Sequence, residues 1–128
     1  MTVRYAAPEV IGAFQRGISL DRAAFLPADI FSAAVMLLEC LTRAVPWPNM
    51  DMQGIVSAVQ AGQRPGADAL PVAVQDLAGQ RPGADALPVA VQDLVRAAWQ
   101  ADPAMRPHAA TLRQQCAALF VAVGGLGQ

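Results

Sequence analysis

The chain contains no lysine. All nine of its basic residues are arginine. A bias in codon composition accounts for that pattern, but its consequence is chemical: any mechanism that needs a lysine amine is excluded for these 128 residues. Histidine is nearly absent as well. The single His108 is followed by Ala109 and has no acidic or nucleophilic neighbour in sequence, so it reads as an exposed residue at a helix opening rather than as a general base. The two cysteines, Cys40 and Cys116, are too few for a disulfide framework or a zinc site. Their apolar, helical surroundings predict small buried hydrophobes. Charged residues make up only 15% and the net charge is −1, which leaves no basic field to attract nucleic acid or an anionic membrane. The first residues lack a basic segment followed by an apolar core, so no signal peptide is expected. The longest apolar stretch, Ile30 to Leu41, contains Ser32 and Glu39 and falls short of the ~20 residues that span a bilayer. A soluble protein, cytoplasmic or otherwise intracellular, is expected.

Hydrophobic residues make up 55%, which is ample apolar surface to set against chain entropy. They are mostly Ala, Val and Leu, with aromatics at 5%, so the composition leans helical and fits one small domain. Ala7-Pro8-Glu9-Val10-Ile11 predicts a helical turn stopped near Gly12, and Gly17 to Pro27 reads as loop. Residues 29–43 predict the strongest helix, opened by Pro27 and Asp29 and apolar on all sides, hence buried all round. After the break at Pro46-Trp47-Pro48, Asn49 can cap a helix with Asp51 in its first turn. Met52, Ile55, Val56 and Val59 form its apolar stripe, and Gly62 ends it. Val91, Leu94, Val95, Ala98 and Trp99 mark a further helix. Asp102-Pro103 reads as a turn start or a one-turn cap. A last helix follows Arg106-Pro107, with Leu112, Cys116, Leu119, Phe120 and Val123 on one face, stopped by Gly124-Gly125.

Residues 61–77, AGQRPGADALPVAVQDL, recur without a change as residues 78–94. Two units are too few for a solenoid. The second copy runs on into a helix, whereas the first is cut short at Gly79, so the additional 17 residues are expected to form a surface insertion. Such an insertion costs little, because closure entropy grows only logarithmically with length.

Three motifs fall in order along the chain. They are Thr2-Val3-Arg4-Tyr5-Ala6-Ala7-Pro8-Glu9, Ala28-Asp29-Ile30-Phe31-Ser32 running on to Glu39-Cys40-Leu41-Thr42, and Trp99-Gln100-Ala101-Asp102-Pro103-Ala104-Met105-Arg106-Pro107. Together they resemble a protein kinase catalytic domain: the end of its activation segment, the start of its F helix, and the segment between its H and I helices. Pro46-Trp47 and Gly62-Gln63-Arg64-Pro65 also fall at the family's places. The resemblance runs from Thr2 to about Phe120, and its spacing fits once one copy of the repeat is set aside. It implies an all-α fold, a partial kinase C-lobe over residues 1–123, made of the activation-segment end and the F, G, H and I helices. Within it, residues 61–94 hold the two copies, and 124–128 form a flexible tail.

The resemblance also assigns roles. Glu9 of Ala-Pro-Glu would pair with Arg106 of Arg-Pro. Asp29 would hold the family's catalytic loop, which this chain lacks, and so would face solvent. Thr2 and Tyr5 would belong to the loop that receives a peptide substrate, in a form closer to Ser/Thr kinases. Trp99 would be structural. Phosphoryl transfer needs a Gly-rich loop, a lysine, a His-Arg-Asp loop and Asp-Phe-Gly. None occurs here: the only glycine-rich run is Gly124 to Gly127, and the chain is expected to start after those motifs. No catalytic, cofactor-binding or metal residue is therefore assigned. The ATP and Mg2+ of the family are not expected to bind this chain, and a protein partner or the remainder of a kinase domain is expected instead. The competing reading is a kinase-derived interaction module without catalysis, in which the helix at 50–61 and the inserted repeat form the docking surface. An unrelated helical domain is the third. Without the preceding kinase helices, an exposed apolar patch is expected beside Phe31, Val35 and Leu38.

Overall fold

The computed structural model describes residues 2–66, 68, 69, 71 and 87–126, and among them every regular element is helical. A 3-10 turn, Val3–Tyr5, leads into α1, Pro8–Gln15. α2 is Arg22–Thr42, α3 is Met52–Gln60 and α4 is Leu87–Ala98. A second 3-10 turn, Pro103–Met105, precedes α5, Ala109–Leu126.

α2 organises the rest, and it begins earlier than its sequence suggests. Asp21 is the N-cap, its carboxylate accepting from the Ala23 N–H at 2.7 Å and the Ala24 N–H at 3.2 Å. The helix then runs through Pro27 instead of starting there, so the loop is only Gly17 to Asp21. A strong cap and two alanines favour the early start, and packing of the following turns offsets the bond that Pro27 cannot donate. At its far end Arg43 takes a left-handed conformation, φ 57°, and its N–H closes on the Glu39 carbonyl. The helix is therefore 21 residues long, and by length and composition it could cross a bilayer. This corrects the expectation of too short a run. Its buried side, however, is the centre of the core.

That buried side is Ala28, Ile30, Phe31, Ala34, Val35 and Leu38. It meets Val91 and Val95 of α4 and Trp99 just after it, with Ile11 of α1 and Ile55 and Val59 of α3 completing the cluster. Burying a side chain such as Phe31 or Ile55 contributes about 1.5–3 kcal/mol. The patch expected beside Phe31, Val35 and Leu38 is therefore absent, because α4 and the buried Pro65 cover that side. α2 is not buried all round either. Leu26, Asp29, Ala33, Met36 and Cys40 form an exposed stripe at helical spacing on its other side.

Several ends differ from the sequence reading. α1 passes through Gly12, which is buried inside it, and continues to Gln15. Asp51, not Asn49, caps α3, accepting from the Gly54 N–H at 2.8 Å, while Asn49 sits in the preceding turn with φ 64°. Met52 is exposed, and Ala58 takes its expected place in the core beside Ile55 and Val59. α5 runs through Gly124-Gly125 to Leu126, so part of the expected tail is helical: glycine weakens a helix by about 1 kcal/mol without forbidding it. Both cysteines are exposed, Cys40 on the outer stripe of α2 and Cys116 on the solvent side of α5. The side chains of Leu119, Phe120 and Val123, assigned to the same face as Cys116, lie outside the described residues. So do most of the expected insertion, including 72–86, and residues 127–128.

Candidate functional site

Glu9 lies in the first turn of α1, where the positive helix end favours a carboxylate. Arg106 follows the second 3-10 turn in extended conformation, as its neighbour Pro107 requires. The two are 97 positions apart, and the structure brings them together. Arg106 Nη1 donates to Glu9 Oε1 at 2.6 Å, and Nη2 donates to Glu9 Oε2 at 2.9 Å. This is the parallel two-bond fork that a planar guanidinium makes with a carboxylate. The remaining donors go to backbone carbonyls: Nε to Gln100 at 2.8 Å, Nη1 to Pro27 at 2.9 Å, and Nη2 to Ala101 at 3.4 Å. The Arg106 side chain is 0% exposed and that of Glu9 is 20% exposed. One side chain thus ties α1, α2 and the segment before α5.

Phe31 of α2 lies beneath this clamp. Its ring has the Arg106 guanidinium at 5.1 Å from the centroid and that of Arg64 at 5.0 Å, both within cation–π range. Arg64 Nε donates to the Trp99 carbonyl at 2.8 Å, and its Nη1 to the Gln63 carbonyl at the same distance. Burial, then the neighbouring Arg106 cation, push the Arg64 guanidinium below its ordinary range, and Glu9 opposes that shift.

A second cluster fixes the N-terminal turn. The Tyr5 hydroxyl donates to Glu39 Oε2 at 2.6 Å, and the Ser32 hydroxyl donates to the Tyr5 carbonyl at 2.8 Å. Arg4 Nη1 donates to the carbonyls of Pro46 and Trp47, both at 2.7 Å. The hydrogen bond to Glu39 holds the Tyr5 phenol above its ordinary pKa, with desolvation and the Glu39 charge adding to it and Arg4 opposing. Trp47 is buried in a left-handed conformation, φ 55°, and its Nε1–H has no partner among the described residues.

Of the residues singled out in sequence, Glu9, Arg106 and the buried Trp99 meet in or beside the clamp, and Tyr5 belongs to the second cluster. Thr2 is exposed and makes no cap bond. Asp29 is exposed, with no side-chain hydrogen bond among the described residues. His108 is exposed too, and only its carbonyl is engaged, by the Leu112 N–H. Sequence reasoning missed Arg64, Phe31, Glu39, Arg4 and Ser32. All five lay inside quoted motifs or segments, but nothing local indicates what each touches.

Chemically, both clusters are clamps. All five Arg106 N–H groups are spent on Glu9 and on carbonyls. Among the described residues, no three His, Cys, Asp or Glu side chains gather as a metal-holding group. No family model matches the chain, and no curated protein matches it.

Proposed function

We propose that this chain is the C-terminal-lobe portion of a Ser/Thr-type protein kinase domain and that these residues alone neither bind MgATP nor transfer phosphate. The observation that carries the reading is the two-bond fork between Glu9 and Arg106. It joins the ends of two motifs that are unremarkable separately, Ala-Pro-Glu and Arg-Pro. The three motifs stand in the kinase order, and the all-helical fold accords with that lobe. The inactivity follows from composition: with no lysine, no His-Arg-Asp and no Asp-Phe-Gly, these residues cannot assemble the phosphate-positioning machinery. Tyr5 and Thr2 then belong to the peptide-receiving edge, and the 17-residue repeat is an insertion in the lobe. The chain works as a soluble intracellular protein beside a protein partner or the remainder of a kinase domain, without nucleic acid or membrane.

Sequencing the transcript and the genomic DNA upstream of the Met1 codon tests the origin. Coding sequence with a Gly-rich loop, lysine, His-Arg-Asp and Asp-Phe-Gly, intact or decayed, is expected; upstream DNA bearing none of them would refute the kinase reading. Titration of the chain with MgATP should give no heat of binding, and saturable binding would overturn the predicted inactivity.

An interaction module without catalysis is the second reading. It is favoured by a shallow apolar groove of about 270 Å³ between α1 and the start of α2, with Phe14, Ile18 and Phe25 exposed on its walls.

A further inference from the structure

The outer side of α2 carries one exposed line of side chains: Leu26, Asp29, Ala33, Met36, Cys40 and Arg43. Alternating steps of three and four residues keep them on one strip of the helix, the spacing at which two helices pack side by side. The strip is apolar in its middle and charged on either flank, negative at Asp29 and positive at Arg43. Among the described residues neither side chain has a hydrogen-bond or ion-pair partner. The strip is also symmetric. Counted from Met36, Asp29 lies seven positions before and Arg43 seven after, and Ala33 lies three before and Cys40 four after. Leu26 is ten before, and the exposed Val45 is nine after. An occupant of this face must therefore offer a positive group, a short apolar middle and a negative group in the reverse order. α2 itself, turned end for end, does so.

We infer that two copies of this chain associate through α2, antiparallel, with Met36 on the two-fold axis. Asp29 of each copy then faces Arg43 of the other, so one charge pair is made twice. Ala33 and Cys40 are small, and they let the helices approach on either side of the paired Met36 side chains. Leu26 of each copy falls opposite Val45 of the other, which covers two large apolar groups that are 67% and 53% exposed in the single chain. Arg22 is the remaining charge on this side of α2. It lies seven helical steps, ~10 Å, beyond the level of the paired Arg43, about one Debye length away.

Charge selects this orientation. A parallel pair in register would set Asp29 against Asp29 and Arg43 against Arg43, and like charges held face to face are costly. The contact runs the length of α2, 21 residues or ~31 Å, and includes few large side chains. The dimer is therefore a reversible one, at the small end of specific interfaces. It uses only the outer side of α2 and does not depend on the kinase reading.

Sedimentation equilibrium of the full chain tests this. A dimer half-formed at about 100 µM or below is expected, and a chain that stays monomeric up to that concentration would overturn the inference. Asp29→Arg and Arg43→Asp each put like charges into both pairs and should weaken the dimer at least about tenfold. The double variant exchanges the two signs and should return to within about threefold of the original; failure to return would also overturn it. Crosslinking keeps the test open where a charge variant folds poorly. In the antiparallel pair the two Cys40 residues are eight helical steps, ~12 Å, apart along the axis, beyond the ~7 Å that a disulfide bridges. Met36→Cys, in a Cys40→Ser, Cys116→Ser background, sets two thiols at the axis. Mild oxidation should crosslink it at least about tenfold faster than it crosslinks Cys40 in a Cys116→Ser background. A Cys40 that crosslinks as fast would mean a parallel pair and refute the proposal. Binding to phosphatidylcholine vesicles in place of self-association would show that a bilayer covers the strip, and would refute it as well.

Discussion

Replacing Arg106 with alanine removes the fork to Glu9, three bonds to carbonyls and a cation over Phe31. Breaking a buried pair from one side costs about 3–5 kcal/mol, because the surviving charge is left uncompensated. Glu9 is 20% exposed and can recover some hydration, which points to the lower half of that range. The lost contact with Phe31 adds about 0.5–1 kcal/mol. A total near 4 kcal/mol is a large share of the 5–15 kcal/mol typical of a domain. Glu9→Gln cuts from the other side: the guanidinium, 0% exposed, keeps its carbonyls and loses its counter-charge, at a cost of about 3 kcal/mol. Urea unfolding followed by circular dichroism measures both. With a slope of about 2 kcal/mol per molar, Arg106→Ala should move the midpoint down by ~2 M. A double-mutant cycle of Glu9→Gln with Arg106→Met should give a coupling of roughly 2 kcal/mol, since the double variant strands neither charge. If each single variant costs under about 1 kcal/mol, the pair behaves as a surface ion pair and the reasoning is wrong.

Three further outcomes are expected. Tyr5 is the sole tyrosine, so ultraviolet titration follows it without overlap: its pKa should lie above the ordinary ~10 and fall back toward it in Glu39→Gln. Because the folded state holds that proton more tightly than the unfolded chain, stability is complete below pH ~10 and declines as pH rises through the folded pKa; a stability flat across that window would refute the Tyr5–Glu39 bond. Trp47→Phe should cost under about 1 kcal/mol by thermal melting, because it removes a buried N–H without a partner while keeping an aromatic ring in the core; a loss near 3 kcal/mol would mean that the indole N–H is satisfied. Gly12→Ala should stabilise by about 0.5–1 kcal/mol, since Gly12 is inside α1 and the atom nearest a new Cβ is the flexible end of Arg16, at 3.3 Å; a lower melting temperature would show that Arg16 cannot give way.

The helical class was legible in Ala, Leu and Val at helical spacing, and the face of α4 was read residue by residue. Caps were less legible. Asp21 looked like part of a loop because Pro27, six residues on, is the stronger local start signal; only the packing of Ala28, Ile30 and Phe31 reveals that the helix runs through it. Asn49 and Asp51 are equally good caps in sequence, and the left-handed turn at Asn49 decides between them. The burial of Cys40 was misread for a related reason. An apolar run has no sidedness on paper, and the structure gives it one, with Phe31, Val35 and Leu38 inside and Ala33, Met36 and Cys40 outside. Within the site, Glu9 and Arg106 could be linked through the resemblance. Arg64 over Phe31 and Tyr5 on Glu39 could not, because such contacts depend on how turns are laid against α2 and leave no spacing rule in the sequence.

The span of the clamp also sets a timetable for synthesis. α2 is complete at Thr42, and Ile55, Val59 and Pro65 follow within about 25 positions, but Val91, Val95, Trp99 and finally Arg106, which complete the cover of its inner side, emerge about 50–65 positions later. At ~5–20 residues per second, α2 waits several seconds for these last partners. During that interval it presents a length and hydropathy suited to a bilayer. Newly made chains therefore depend most on chaperones in the window between the two arginines, Arg43 and Arg106, that close α2 at its end and over its face.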